Sequence, residues 1–326
     1  VDDTNDQTPS YTAGSTTISV DEGSTANIDS FAITDTDTTG TLACTESGND
    51  ADDFDCAISS GTLTITWTAT PDYDSATDSD TDNVYAYTIT VGDGTNSASS
   101  TTYAVTVDDT NDQTPTYSAT DTTPNINEGT TAVETSIAIT DTDTGDSNTC
   151  TLAGDDSEDF TCTVTATAYT LAFTSAPDYE TPGSDASSND YAVTVTISDG
   201  TNTGSTISYT VTVDDTNDQT PTYSSSDATP NINEGTTAIE TLTVTDTDTG
   251  DVNACTLAGD DSDDFTCTVS GDSVSLAFTS APDYETPGSD ASSNDYAVTV
   301  TISDGTNTGS TISYTVTVDD TNDQTP

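Results

Sequence analysis

A nine-residue motif, Val-Asp-Asp-Thr-Asn-Asp-Gln-Thr-Pro, begins at Val1, Val107, Val213 and Val318, so the chain is one unit written three times with a fourth boundary at its end. The spacings of 106, 106 and 105 residues constrain the fold more than any other feature. A solenoid repeat rarely exceeds about 50 residues, whereas a period near 100 matches one autonomous domain. Residues 171–221 and 276–326 are identical, which points to duplication within an array. Because the first and last residues fall inside the motif, the expectation is a window on something longer.

Within the second unit, turn-forming clusters separate short runs that alternate apolar and polar residues. These runs predict strands near 133–139, 149–153, 160–165, 169–173, 191–198 and 207–213, with a short leading strand around 125–126. Thr, Val, Ile and Tyr dominate them, as residues that suit a pleated half-buried surface, and no segment shows helical periodicity. Seven short strands in about 100 residues indicate a Greek-key sandwich. The expected fold is all-β: a tandem array of three seven-stranded Greek-key β-sandwich domains at 10–106, 116–212 and 222–317. Linkers are expected at 107–115 and 213–221, with linker motifs at 1–9 and 318–326. Trp67, the only tryptophan, aligns with Phe173 and Phe278 four residues before a proline and reads as core. A glycan- or partner-binding tryptophan is the competing reading.

The chain carries 59 acidic side chains and no Lys, Arg or His, a formal charge of −59. Self-repulsion at that density calls for bound metal, high salt or a chain that does not fold, and the strand pattern rules out the last. The missing residues exclude a histidine-based triad, a Schiff base and a P-loop lysine. Nucleic acid and anionic membrane are excluded as partners, since both need a basic surface. Carboxylate-only catalysis, as in glycosidases, needs none of these residues. No constellation suggests it, and the expectation is that the chain is not an enzyme. No apolar run approaches the length of a membrane helix or a signal-peptide core.

The cysteines fall as Cys44 with Cys56, Cys150 with Cys162 and Cys255 with Cys267, each pair twelve positions apart. One pair per unit at one fixed place predicts three local disulfides in an oxidising, extracellular compartment. Two cysteines without histidine make a poor zinc site.

Acidic residues recur at five places in each unit. In the second unit these are Glu128 in NINEG, Asp141 and Asp143 in DTDTG, Asp178 and Glu180 in APDYE, Asp199 in ISDG, and Asp215 and Asp218 in DDTNDQTP. Any one alone would be read as a solvated loop acid or an Asx-turn. Five together, around a proline-ended linker, supply the carboxylate, amide and carbonyl oxygens that calcium takes in sets of six to eight.

In order, Glu128, Asp141-Thr142-Asp143, Asp178-Tyr179-Glu180, Asp199-Gly200 and Asp215-Thr216-Asn217-Asp218-Gln219-Thr220-Pro221 make the unit resemble the cadherin repeat and its bacterial cadherin-like relatives, including adhesin extender domains. The resemblance covers the whole unit and implies a cadherin/Ig-like sandwich with about three calcium ions at each domain junction. At the second junction it implies that Glu128, Asp178, Glu180, Asp215 and Asp218 serve the two ions nearer the second domain, with Asp248 reaching across. Asn217, Asp246, Asp248 and Asp304 would hold the third ion, and the carbonyls of Thr216, Gln219 and Asn253 would complete the shells. The first junction would use Glu22, Asp72, Asp74, Asp109, Asn111, Asp112, Asp141, Asp143 and Asp199. Half-junctions would lie at Asn5, Asp35, Asp37 and Asp93 and at Glu234, Asp283, Glu285, Asp320 and Asp323.

Three positions depart from that pattern. Asp74 stands where the pattern has Glu and is one methylene shorter. The first unit reads DTDTTGTL where the others read DTDTGDSN and DTDTGDVN, which leaves its incoming carbonyl in question. Gln113, Gln219 and Gln324 replace the second linker Asn, which is harmless if only a backbone carbonyl binds. Charge alone also favours metal. Carboxylates about 8 Å apart repel by roughly 0.5 kcal/mol per pair in water, less in salt, and eight gathered at one junction sum to several kcal/mol.

The leading functional expectation is a calcium-rigidified extracellular structural or adhesive repeat, part of a long surface adhesin or a fibre. Its partners would be neighbouring repeats of the same or identical chains. The alternatives are a specific ligand- or cell-recognition module, homophilic or glycan-binding, and a halophile-type surface that holds cations without discrete sites. Threonine, close to a quarter of the chain, also raises covalent O-glycans on loops, while no Asn-x-Ser/Thr sequon is present.

Overall fold

The computed structural model describes residues 4–250 and 252–322. Asp323 and Gln324, assigned above to the last half-junction and linker motif, lie outside the described residues.

In the first domain eight strands form two sheets: β1 (Ser10–Tyr11), β2 (Thr17–Asp21), β3 (Asp29–Thr34), β4 (Ala43–Ser47), β5 (Phe54–Ser59), β6 (Thr62–Trp67), β7 (Val84–Gly92) and β8 (Thr101–Asp108). One sheet has the order β1-β3-β6-β5 and the other β2-β8-β7-β4. The leading strand expected from sequence is preceded by a further two-residue strand that the sequence reading does not include. The added strand, β1, pairs antiparallel with β3, and the expected one, β2, lies in the other sheet, parallel to the last strand, β8. The second domain repeats the plan with β9 (Thr116–Tyr117), β10 (Asn125–Asn127), β11 (Ala132–Thr140), β12 (Thr149–Ala153), β13 (Phe160–Val164), β14 (Ala168–Phe173), β15 (Asp190–Ser198) and β16 (Ile207–Asp214). In the third domain the added strand shrinks to a single bridge between Thr222 and Thr245.

Alternation builds the cores. Along β15 Tyr191, Val193, Val195 and Ile197 are buried while their neighbours are more open. Burying a side chain such as Val or Ile contributes about 1.5–3 kcal/mol. Each domain has its own cluster, the second centred on Leu171, Val195, Ile197 and Val211. Trp67 is half-buried on the first cluster, its ring stacked on Phe54 at 4.6 Å and edge-on to Tyr85 at 5.1 Å.

All three expected disulfides form, with Cα–Cα separations of 6.2, 6.2 and 6.1 Å. Cys44 lies on β4 and Cys56 on β5, the edge strands of opposite sheets, so each bridge closes one open side of its sandwich. Closing a loop of this length stabilises a domain by about 3 kcal/mol.

One feature was not foreseen. Each domain holds a 3-10 turn, at Ala51–Asp53, Ser157–Asp159 and Ser262–Asp264, too short to carry a period. The acid before it is buried: Asp156 accepts the Asp185 N–H at 2.7 Å and the Ala192 N–H at 2.6 Å, fastening the loop between β14 and β15.

Candidate functional site

Strand pairing places the first acid of each junction. In parallel register, Asp21 lies opposite Asp108 and Asn127 opposite Asp214, so the residue that follows each leading strand emerges beside the outgoing linker. The Glu22 N–H donates to the Asp108 carbonyl at 3.0 Å, and the Glu128 N–H to the Asp214 carbonyl at 3.0 Å. Glycine follows because the chain turns at φ of +70° at Gly23 and +72° at Gly129, where a side chain is strained. The Gly129 N–H then reaches the Pro177 carbonyl at 2.9 Å and brings in the loop that carries Asp178 and Glu180.

Each glutamate is held by both sides of this corner. One carboxylate oxygen of Glu128 accepts the Thr216 N–H at 2.8 Å and its hydroxyl at 3.2 Å, and the other accepts the Tyr179 N–H at 2.8 Å. Glu22 does the same with Thr110 and Tyr73, and Glu234 with Thr321 and Tyr284. Those backbone donors hold the Glu234 carboxyl below the usual glutamate range.

From the linker outward the contacts cross into the next domain. Asp109 accepts the Thr144 N–H at 2.5 Å together with its hydroxyl, and Asp215 accepts the Thr249 N–H at 2.6 Å together with its hydroxyl. The Gln113 N–H donates to Asp143 at 2.9 Å, and the Gln219 N–H to Asp248 at 2.8 Å. Asn202 donates its side-chain amide to the Asn111 side-chain oxygen at 3.0 Å, and Asn307 to that of Asn217 at 3.0 Å. Asp199 and Asp304 each take two backbone N–H groups of their own turn. Burial pushes the Asp199 carboxyl up, but the Asn202 and Thr201 donors outweigh it and leave it low.

Within this frame the acids converge. Carboxylate oxygens of Glu22, Asp72 and Asp74 lie within 4.8 Å of one another, as do those of Asp74, Asp112 and Asp143 across the joint, and those of Glu128, Asp178 and Glu180. With no cation on any side chain of this protein, no residue can neutralise them. The buried oxygens left over are Asp74 Oδ2, Asp109 Oδ1, both oxygens of Asp141, Asp143 Oδ1 and Asp199 Oδ2 at the first junction. At the second they include Asp215 Oδ1, Asp246 Oδ2, Asp304 Oδ2 and both oxygens of Glu180. Burial raises Asp74, Asp141 and Asp143 above the usual aspartate range, with neighbouring carboxylates adding to it. It pushes Glu180 up to about 7, reinforced by Glu128, Asp215 and Asp248. Acceptors with nothing to accept are costly unless a proton or a cation joins them, so the donor set fits a hard, oxygen-seeking ion.

At the chain ends, Asp37 accepts the Gln7 N–H at 2.7 Å and Asp35 accepts the Asp37 N–H at 3.1 Å. Asn5 lies against Asp93 and Thr95. Asp283 accepts the Thr286 N–H at 3.0 Å, while Asp320 and Glu285 line one open hollow with Thr321 and Asn322. Asp218 accepts the side-chain amide of Gln219 at 2.7 Å. The sequence reading passed over Asp146, which has a buried, unpaired Oδ2 and lies near enough to raise Asp141. Its signal was present as the third acid of DTDTGDSN.

No protein-family model matches the chain, and no curated protein sequence does. Solved structures do. The protocadherin gamma B4 extracellular domain superposes with a TM-score of 0.65 at 22% identity, covering 99% of this chain, which spans 51% of that one. Protocadherin gamma B7 extracellular cadherin domains 1–4 give 0.60 at 19% identity, over 97% of this chain and 77% of that. Mouse cadherin-23 EC22–24 gives 0.57 at 21% identity, over 97% of this chain and all of that one, 100%. Identities this low speak to architecture, and the architecture they establish is that of tandem cadherin extracellular repeats.

Proposed function

We propose that this chain is a calcium-stiffened extracellular repeat array with a structural or adhesive role, and not an enzyme. One observation carries the reading: at both complete junctions, backbone donors from two domains fix acidic side chains, while other buried oxygens of the same clusters have no donor. Calcium, when bound, would supply the positive charge that the chain lacks and tie linker to both neighbours. At the second junction Glu128, Asp178, Glu180, Asp215, Asn217, Asp218, Asp246, Asp248 and Asp304 would hold it. At the first the residues would be Glu22, Asp72, Asp74, Asp109, Asn111, Asp112, Asp141, Asp143 and Asp199, with Asp146 added. About three ions per junction is the number the resemblance to cadherin repeats implies. The stiff segments would be 10–106, 116–212 and 222–317, and the joints 107–115 and 213–221. The half-sites around Asn5, Asp35, Asp37 and Asp93, and around Glu234, Asp283, Glu285 and Asp320, would accept neighbouring repeats. Three disulfides and the cadherin-type fold support an extracellular location.

The test is small-angle scattering of the full chain with and without calcium. Chelation is expected to leave the circular dichroism of the sandwiches unchanged while the scattering profile changes to that of domains on flexible hinges. An unchanged profile after calcium removal would overturn the reading.

A further inference from the structure

The loop between β6 and β7 carries Asp72 and Asp74 near its start, and further along it differs between domains in a way the junctions do not explain. The first domain has Asp78-Ser79-Asp80-Thr81-Asp82, where the second has Ser184-Asp185-Ala186-Ser187-Ser188 and the third Ser289-Asp290-Ala291-Ser292-Ser293. The loops are equivalent in structure. The Ser79 N–H donates to Asp50 as the Asp185 N–H does to Asp156, each at 2.7 Å, and Thr81, Ser187 and Ser292 all have positive φ.

In the second and third domains the buried serine closes the loop on itself. Ser184 Oγ accepts the Ser188 N–H at 3.0 Å and donates to the Ser188 carbonyl at 2.7 Å. Ser289 and Ser293 repeat the pair. In the first domain Asp78 keeps only the accepting half. Its Oδ2 takes the Asp82 N–H at 2.9 Å, but an ionised carboxylate has no proton to give. Asp78 is 3% exposed, and its Oδ1 is buried with no hydrogen-bond partner. Carboxylate oxygens of Asp78, Asp80 and Asp82 lie within 4.8 Å of one another. A buried acceptor of this kind, set among further carboxylates, is costly unless a proton or a cation meets it.

We propose that residues 78–82 of the first domain hold one calcium ion at a site separate from both junctions, bound by Asp78, Asp80 and Asp82. Acids at the first, third and fifth positions have the spacing that opens known calcium loops, where alternate side chains turn toward one point. Isoleucine, at Ile89, stands where such loops place their bidentate glutamate, so the site belongs to the weak extracellular class, with Kd on the order of 0.1–1 mM. The ion takes the place of the serine hydroxyl proton and fastens the loop in this domain alone.

The experiment counts calcium bound to the full chain by equilibrium dialysis and follows Trp67 fluorescence, since its ring meets Tyr85, whose hydroxyl accepts the Thr77 N–H ahead of the loop. Asp78→Ser installs the residue the other two domains use, so folding is expected to be retained. It should remove one ion and the weak phase of the fluorescence titration. The reverse variant, Ser184→Asp with Ala186→Asp and Ser188→Asp, should add one ion. If Asp78→Ser binds as many ions as the parent with the same affinities, or if the reverse variant gains none, the site does not exist. The count also separates this proposal from the junction reading. Were the junctions to bind no calcium, the parent would still hold one ion and Asp78→Ser none.

Discussion

The two complete junctions are built on one hydrogen-bonded frame and differ in which side chains carry its unpaired buried oxygens. Glu22 and Glu128 accept matching donors, and Asp109 and Asp215 clasp Thr144 and Thr249 alike. At the first junction Asp74 leaves one buried oxygen unpaired and draws on the Thr142 hydroxyl, while Asp141 leaves both; at the second Glu180 leaves both of its oxygens buried and unpaired, while Asp246 leaves one. One methylene therefore separates a side chain that finds partial relief within the protein from one that finds almost none. The frame is set by backbone geometry, whereas at this one position side-chain length sets how far the carboxylate is satisfied without an ion.

The largest effect is expected from striking the frame on one side. Glu128→Gln keeps the shape but turns one accepting oxygen into a donor facing the Thr216 or Tyr179 N–H. Calcium affinity at the second junction should fall about 100-fold, while the first, which shares no ligand with it, is unchanged. Calorimetric titration reads both junctions, and equal weakening of the two would show that they are not independent.

Next comes pH, through Glu180. Its folded-state pKa of about 7 lies above the ordinary glutamate value, so its proton stabilises the metal-free junction at low pH and that stabilisation is lost as pH rises through 7. Calcium has to displace the proton. Apparent affinity at the second junction should therefore drop about tenfold from pH 8 to pH 6 as one proton comes to compete. Glu180→Gln should remove this pH dependence along with much of the affinity. A pH profile unaltered by Glu180→Gln would reject Glu180 as the competing group.

Exchanging the distinguishing residues is expected to do less. Asp74→Glu should strengthen the first junction and Glu180→Asp weaken the second, each by about fivefold, or about 1 kcal/mol. If the pair of exchanges fails to bring the two junctions together in a titration, side-chain length is not what distinguishes them.

Much of this was legible in the sequence, for physical reasons that can be named. Strand positions followed from alternation, as in Tyr191, Val193 and Val195, and the disulfides from one cysteine pair per unit. The gathering of Glu128, Asp178 and Glu180 followed from motif order. What could not be read was which acids face inward for structural reasons. Asp156 looks like any loop aspartate, and only the fold shows it taking two backbone N–H groups. Asp146 and Asp78 were passed over because acids are so common here that one more carries no signal. The strand ahead of the leading one was hidden because β9 is two residues long, below any detectable period.

The smallest effect tests what the junctions share. Thr144→Val and Thr249→Val each remove one hydroxyl donor to a linker aspartate while leaving the backbone N–H in place. A hydrogen bond to a charged group is worth about 1.5–3 kcal/mol, but calcium on the same carboxylate offsets part of the loss. The expected change is about threefold in calcium affinity, the same at both sites because the geometry is the same. Unequal losses would mean that the frame is not common to the two junctions, and the difference between them would then have to be sought in the linker and not in Asp74 and Glu180.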